Sequence, residues 1–166
     1  SSIKRDSLFN ILSSKFLKLG IENFFSDKII LDCFAGSGAL GIEALSRGGK
    51  FCFFIEKNKK VYLNLKKNCE IIPKKKYGII NSDFLKINHD KLKIDKSIDI
   101  FFIDPPYSFV NINTILDNIF LAKIHNKNSV FIIKKKKETK IKEYKKLKIF
   151  NERVFGKTKI SFLNIT

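Results

Sequence analysis

The chain has 166 residues, of which 44% are apolar and 30% are charged, and its formal net charge is +17. A chain of this length buries roughly 70% of the surface that it exposes when unfolded, so we expect a single domain over residues 1–166 with its own core. The apolar fraction excludes a disordered chain. The sequence contains no run of about 18 uncharged apolar residues, so we expect no membrane helix. The chain contains no Met and no signal-peptide pattern, and we expect the natural N-terminus to lie upstream.

The positive charge comes almost entirely from lysine, because Arg5, Arg47 and Arg153 are the only arginines. Such a charge favours an anionic partner, with nucleic acid first. Lys, Ile, Asn and Phe are abundant together, however, and their codons are rich in A and T, so composition drift explains the same excess. The sequence leaves both explanations open, because electrostatic binding requires the charge to lie on one face.

The three cysteines do not form a recognisable site. Cys33, Cys52 and Cys69 lack the close pairs of zinc sites and the even number of a disulfide framework. We therefore expect reduced thiols in a cytoplasmic protein, and no metal.

The predicted helices follow from apolar spacing and from the glycines that end them. The first forms most of an N-terminal extension over residues 1–27. The predicted helices cover residues 3–19, 39–47, 58–70 and 111–124.

The predicted strands are mostly continuous apolar runs, which are typical of parallel strands buried on both faces. They cover residues 28–34, 51–56, 77–80, 98–103 and 129–133, and two more close the chain at 148–150 and 159–163. Residues 134–142 are predicted as helix or loop.

This alternation predicts a doubly wound, Rossmann-like α/β sheet with right-handed crossovers and helices on both faces. The last two strands have little between them, which indicates an antiparallel hairpin at one edge.

The first predicted strand ends in a glycine-rich loop, Asp32-Cys33-Phe34-Ala35-Gly36-Ser37-Gly38, directly before a helix. Glycine lets the backbone turn sharply beside a ligand, and ligands of such sheets lie beyond the carboxyl ends of the strands. With Gly41 the loop has the G-x-G-x-x-G spacing of dinucleotide sites. Asp32 argues against this interpretation, because a carboxylate repels a pyrophosphate and suits a positive amino group. A plain strand-to-helix turn is the alternative.

Acidic residues also follow the next two strands. Glu56 can accept hydrogen bonds from both hydroxyls of a ribose, which fits a nicotinamide cofactor and S-adenosylmethionine equally. In Asn81-Ser82-Asp83-Phe84, the carboxylate can accept from an adenine amino group, with Phe84 against the ring. Asp is common in turns, so Asp83 gains weight only from its order after Asp32 and Glu56.

The fourth strand ends in Asp104-Pro105-Pro106-Tyr107. The prolines fix the backbone and donate no hydrogen bonds, so carbonyl groups point outward as rigid acceptors. A carboxylate and an aromatic face stand beside them. This constellation suits a planar exocyclic amine, with acceptors for its hydrogens and a ring to stack on.

The order of these motifs resembles that of class I S-adenosylmethionine-dependent methyltransferases, whose [DNS]-P-P-[YFW] motif methylates exocyclic amines of nucleobases. More closely, Arg5–Leu12, Leu31–Gly48 and the Asp104–Tyr107 turn resemble the RsmD family of bacterial 16S rRNA (guanine-N2)-methyltransferases. The resemblance covers nearly the whole chain. It departs from the family at Asp6, where Glu is usual, at Lys57, where a less charged residue is common, and before Arg5, where an Arg-Pro-Thr segment is absent.

The resemblance implies a seven-stranded, mostly parallel sheet and S-adenosylmethionine as the cofactor. It places the methionine moiety near Asp32, the ribose on Glu56, the adenine on Asp83 and Phe84, and the target amine on Asp104 and Pro105. The implied cofactor-binding residues are Asp32, Phe34, Ala35, Gly36, Ser37, Gly38, Glu56, Lys57, Asp83 and Phe84. The implied catalytic residues are Asp104, Pro105, Pro106 and Tyr107.

The implied partner is 16S rRNA, within a 30S particle or an assembly intermediate, and the implied protein is a monomer without a membrane partner. We expect lysines at 134–137 and near Arg5 to hold phosphates. Three alternatives remain at this point: an N6-adenine or N4-cytosine methyltransferase of nucleic acid, a nicotinamide dehydrogenase, and a non-catalytic rRNA-binding assembly protein.

Overall fold

The computed structural model describes residues 2–86, 94–106, 111–144 and 146–166. Its helices are α1 (Ser2–Leu17), α2 (Ala39–Ser46), α3 (Lys59–Asn68) and α4 (Ile112–Ala122), with short 3-10 turns at Cys69–Ile71 and Lys74–Lys76. Its strands are β1 (Ile29–Asp32), β2 (Phe51–Ile55), β3 (Tyr77–Ile80), β4 (Ile98–Ile103), β5 (His125–Lys136), β6 (Leu147–Phe155) and β7 (Thr158–Ile165).

The strands form one seven-stranded sheet in the order β3-β2-β1-β4-β5-β7-β6. Strands β1 to β5 pair in parallel, and β7 runs antiparallel between β5 and β6. The strand order reverses between β1 and β4, so a crevice opens there at the carboxyl ends, where ligands of such sheets bind. The predicted α/β sheet and its antiparallel edge hairpin are confirmed.

Strand β5 corrects the prediction for residues 134–142. Lys134, Lys135 and Lys136 continue the strand instead of forming helix or loop, because each pairs with a residue of β7. An antiparallel neighbour satisfies the backbone groups of a charged segment, and side chains on alternate faces separate successive charges. The sequence pattern of residues 134–142 does not reveal that β7 lies beside them.

Helices cover both faces of the sheet. On one face α1, α2 and α3 pack against the strands, and α1 contributes Leu8, Phe9 and Leu12 to the buried core. On the other face α4 contributes Ile112, Ile115, Leu116 and Ile119. Burying each large apolar side chain contributes roughly 1.5–3 kcal/mol. The core therefore holds the strand ends, and the loops that follow them, at one edge.

None of the helices in the described ranges combines the length and the apolar character that crossing a membrane requires.

Candidate active site

A cavity of about 450 Å³ opens at the carboxyl edge of the sheet, between the ends of β1, β2 and β4. We call it the edge cavity. Its volume lies within the roughly 300–1,000 Å³ of small-molecule sites. The predicted site residues that line it are Asp32, Phe34, Ala35, Gly36, Ser37, Glu56, Lys57, Asp83, Phe84, Asp104, Pro105 and Pro106. Tyr107 lies outside the described residues.

The loop after β1 is held between the two neighbouring strands. The Cys33 N–H donates to the Phe102 carbonyl at 3.0 Å, and the Ala35 N–H donates to the Ile55 carbonyl at 2.9 Å. Gly36 then adopts a φ of 55°, in the left-handed region that favours glycine. These bonds fix the loop as one wall of the edge cavity.

Gly38 is not among the described residues that line the edge cavity, and it lies against α3. It begins α2 with a φ of 83°, and a Cβ there would lie 2.5 Å from Leu65 Cδ1. At Gly41 a Cβ would collide with Phe54 and Cys52 of β2. Both glycines therefore bring α2 close to its neighbours, whereas Gly36 faces the cavity.

Asp32 is a buried carboxyl group, with 1% of its surface exposed. Its pKa is raised from 3.8 to about 7, first by burial and then by the negative charge of Asp104, against N–H donors of Gly41 and Phe34 that lower it. Across the described part of the chain, no ion pair includes Asp32. A cationic group bound in the edge cavity would supply the positive partner that an ionised Asp32 lacks among the described residues.

Glu56 is held by two backbone donors. Its Oε2 accepts from the Gly36 N–H at 2.9 Å, and its Oε1 accepts from the Asn58 N–H at 2.9 Å. Asn58 also begins α3, where its side chain accepts from the Val61 N–H. Each carboxylate oxygen has two lone pairs, so both can accept a further bond from a ligand hydroxyl.

Asp83 and Phe84 close another side of the edge cavity, after β3. Asp83 Oδ1 accepts from the Leu85 N–H at 3.0 Å, a short-range bond that sets the turn. Phe84 is 3% exposed and packs against the Phe34 ring, with 6.0 Å between the ring centroids. The structure thus joins the two aromatic residues that the sequence assigned to separate motifs.

Asp104 directly follows β4 and lies beside Lys134, the first lysine of the 134–136 segment. The Lys134 Nζ lies 3.3 Å from both Asp104 oxygens. Lys135 is buried and donates to the Thr139 carbonyl at 2.6 Å. Of the lysines at 134–137, which we expect to hold phosphates, Lys136 and Lys137 are exposed. These two remain the candidates for phosphate binding.

Sequence reasoning missed several residues that line the edge cavity: Cys33, Ala39, Leu40, Ile55 and Val61. Ala39, Leu40 and Val61 belong to the first turns of α2 and α3, and Ile55 ends β2. The start of a helix directly after the glycine loop is the signal that points to Ala39 and Leu40. Within the described residues, no group of three or more His, Cys, Asp or Glu side chains is placed to hold a metal ion.

The fold is shared with solved methyltransferase structures. A candidate methylase from Haemophilus influenzae matches with a TM-score of 0.80 and 24% identity, over 99% of this chain and 97% of that one. A candidate methyltransferase from Escherichia coli matches with a TM-score of 0.78 and 24% identity, over 97% and 84%. The chain therefore has the α/β Rossmann-like fold of the methyltransferases.

The sequence comparisons identify the family. The model of the family described as Conserved hypothetical protein 95 matches residues 1–164. Relatives called ribosomal RNA small subunit methyltransferase D are 38% identical in Buchnera aphidicola from Acyrthosiphon pisum, over 82% of this chain and 66% of the relative, and 34% identical in Buchnera from Baizongia pistaciae, over 82% and 73%. The chain belongs to this family, the RsmD family, and the match spans about two thirds of the length of the first of these relatives.

Proposed function

We propose that this protein binds S-adenosylmethionine in the edge cavity and transfers its methyl group to N2 of a guanine in 16S rRNA. The observation that carries the proposal is the meeting of Asp32, Glu56 and Asp104 at one cavity that the Asp104-Pro105-Pro106 turn closes. The relatives are named as methyltransferases of small-subunit ribosomal RNA, which supports the substrate. The exocyclic amine is the group that the turn is built to hold.

The carboxylates that line the edge cavity suit this cofactor. Buried Asp32 favours the cationic amino group of the methionine moiety, and Glu56 favours the ribose hydroxyls because backbone donors already fix its carboxylate. Asp83 and Phe84 stand where the adenine would lie. Among the described glycines, Gly36 opens the wall next to Glu56 and leaves the space that a side chain would take.

The bound cofactor supplies a methyl group activated on a sulfonium. Asp104 and the Pro105 carbonyl accept the hydrogens of the target amine and aim its lone pair, and alignment of this kind is a large part of catalysis. Held by Asp32, Glu56 and Asp83, the cofactor would give its methyl carbon to the lone pair of N2 and would keep the electron pair of the S–C bond on sulfur. The nitrogen then releases a proton, which Asp104 or solvent accepts.

The target base must leave its stack, which costs a few kcal/mol. Stacking on Tyr107 offsets about 1–3 kcal/mol of this cost. Lys136 and Lys137 are exposed and follow Lys134, the ion-pair partner of Asp104, in the chain. They are suited to bind the phosphates that flank the target base. We place the reaction in the cytoplasm, on a 30S particle or assembly intermediate, with the protein acting as a monomer.

Calorimetry and methyl transfer together test the proposal. We expect S-adenosylmethionine to bind and NAD not to bind, and Asp32→Ala to abolish cofactor binding. With labelled cofactor, we expect transfer to 30S particles that lack the modification, and digestion of the product to yield N2-methylguanosine.

Other outcomes contradict the proposal in distinct ways. Binding of NAD alone favours a dehydrogenase. Methylated adenosine or cytidine in the digest shifts the target base. Binding to rRNA without any transfer favours a non-catalytic assembly role.

A further inference from the structure

Among the ion pairs of the described residues, the pair of Lys134 and Asp104 is the one that includes a residue lining the edge cavity. Lys134 and Asp104 are 28% and 33% exposed, while the surface pair of Lys50 and Asp27 is 59% and 78% exposed. The Lys134 ammonium lies 3.3 Å from each Asp104 oxygen, so it spans the carboxylate. Partly dehydrated pairs are screened by salt less than surface pairs, which contribute little.

The sheet register brings these two residues together. Strands β4 and β5 run in parallel, and Ile103 pairs with Ile133. The next residue of each strand is therefore Asp104 and Lys134, at the same edge and on the same face. The contact therefore follows directly from the last pair of the two central strands, with Asp104 as the first residue after β4.

Lys134 reaches Asp104 from the side away from the proposed cofactor site. A second, smaller cavity shares Asp104, Pro105 and Pro106 with the edge cavity and is otherwise lined by residues including Ile112, Lys134 and Thr139. Of the described residues, Lys134 lines this smaller cavity and not the edge cavity. A change at Lys134 therefore leaves the cofactor wall intact.

The charges explain why Asp104 benefits from a lysine. The carboxylates of Asp32 and Asp104 are close enough for the charge of Asp104 to raise the pKa of Asp32. Two like charges at one cavity repel each other. The ammonium of Lys134 compensates the Asp104 charge from the side of the smaller cavity.

We propose that Lys134 is a positioning residue, which orients the Asp104 carboxylate so that it accepts a hydrogen bond from the target amine and then its proton. This inference rests on the proposed function. It assigns to the lysine no contact with the cofactor and no part in the bond changes, so its whole effect passes through Asp104.

Single-turnover methyl transfer to unmodified 30S particles tests the inference, together with cofactor affinity by calorimetry. For Lys134→Met we expect a loss of about 10- to 100-fold in the transfer rate, below the range of about 10²–10⁴ for acid–base groups because the lysine acts through Asp104, and less than about threefold in cofactor affinity. Lys134→Arg keeps the charge, and we expect it to recover most of the rate. The control is Lys127→Met, which removes an exposed lysine from the opposite end of β5 and should keep the wild-type rate.

The double variant separates positioning through Asp104 from any direct role. Residues that act as a unit are strongly non-additive, so Lys134→Met in an Asp104→Asn background should cost less than about threefold more. A full further loss there, an unchanged rate in Lys134→Met, or an equal loss in Lys127→Met overturns the inference. Melting temperatures exclude unfolding, and Lys134→Arg gives a second reading if the Met variant is unstable. A wild-type protein that transfers no methyl group refutes the proposed function instead.

Discussion

Asp32 and Asp104 end neighbouring strands and face the same cavity, yet the protein treats them in opposite ways. Asp32 is buried, with its pKa raised to about 7, and it is held by backbone N–H groups alone among the described residues. Asp104 is one-third exposed and is spanned by the Lys134 ammonium. One carboxyl group lacks a cation and the other has one built into the sheet.

The difference indicates how a single cavity can bind a cation at Asp32 and accept a proton at Asp104. A buried carboxyl group without a partner gains most from a cationic ligand, because burial removes the water that would otherwise stabilise its charge. A carboxylate with its own lysine already has a cation beside it. We therefore expect Asp32 to govern ligand affinity and Asp104 to govern turnover, and the variants below test that division.

Removal of the Asp104 carboxylate should have the largest effect. For Asp104→Ala we expect methyl transfer to fall by about 10²–10⁴, the usual range for acid–base groups, because the target amine loses its acceptor. An interaction made mainly in the transition state lowers kcat and kcat/KM together, so cofactor affinity should change less than about tenfold. Single-turnover transfer and calorimetry measure the two. A variant that methylates 30S particles at close to the wild-type rate contradicts the division.

The pH dependence of folding tests the other end of the cavity. Asp32 has a folded pKa of about 7 and an ordinary pKa of 3.8. Between these values the folded protein keeps a proton that the unfolded chain releases, so stability falls as the pH rises through this window. The slope is at most roughly 1.4 kcal/mol for each pH unit. Stability changes little with this group below the window and again above about pH 7.

Asp32→Asn removes the titration and should become more stable relative to the wild type from about pH 4 to pH 7. Melting temperatures across that range measure the change. The control is Asp27→Asn, at an exposed carboxylate paired with Lys50, whose difference from the wild type should not follow pH in this way. Parallel curves for Asp32→Asn and the wild type show instead that Asp32 is ionised without a ligand.

The parts of this site that the sequence predicted are those with local causes. Strands β3 and β4 match the predicted ranges residue for residue, because each is an apolar run with clear ends. The loop after Asp32 is also local, since Gly36 needs a φ that other residues rarely adopt.

The parts that were missed depend on neighbours that are distant in the chain. The ion pair of Lys134 and Asp104 requires the register of β4 against β5, which no motif encodes. The extension of β5 requires β7 beside it. The close approach of Gly38 to Leu65 of α3 is likewise a tertiary contact. Each of these features depends on tertiary contacts, which cannot be predicted from composition and residue spacing.

Glu56→Gln should have the smallest effect and sharpens the comparison at a third carboxylate, one held by two backbone donors. We expect cofactor affinity to fall by about 1–3 kcal/mol, the scale of one charge-assisted hydrogen bond. The amide has one acceptor oxygen in place of two, so either the Gly36 or the Asn58 N–H loses its partner, and the fold should lose about 1 kcal/mol.

Calorimetry and thermal melting separate these two effects of Glu56→Gln. The control is Glu70→Gln, an exposed carboxylate in the 3-10 turn after α3, which should change neither quantity. A large fall in melting temperature with unchanged affinity makes Glu56 a support for the glycine loop alone. Loss of affinity with a small change in melting temperature places Glu56 with Asp32, as a group whose charge serves the ligand, and leaves Asp104 as the carboxylate that serves the reaction.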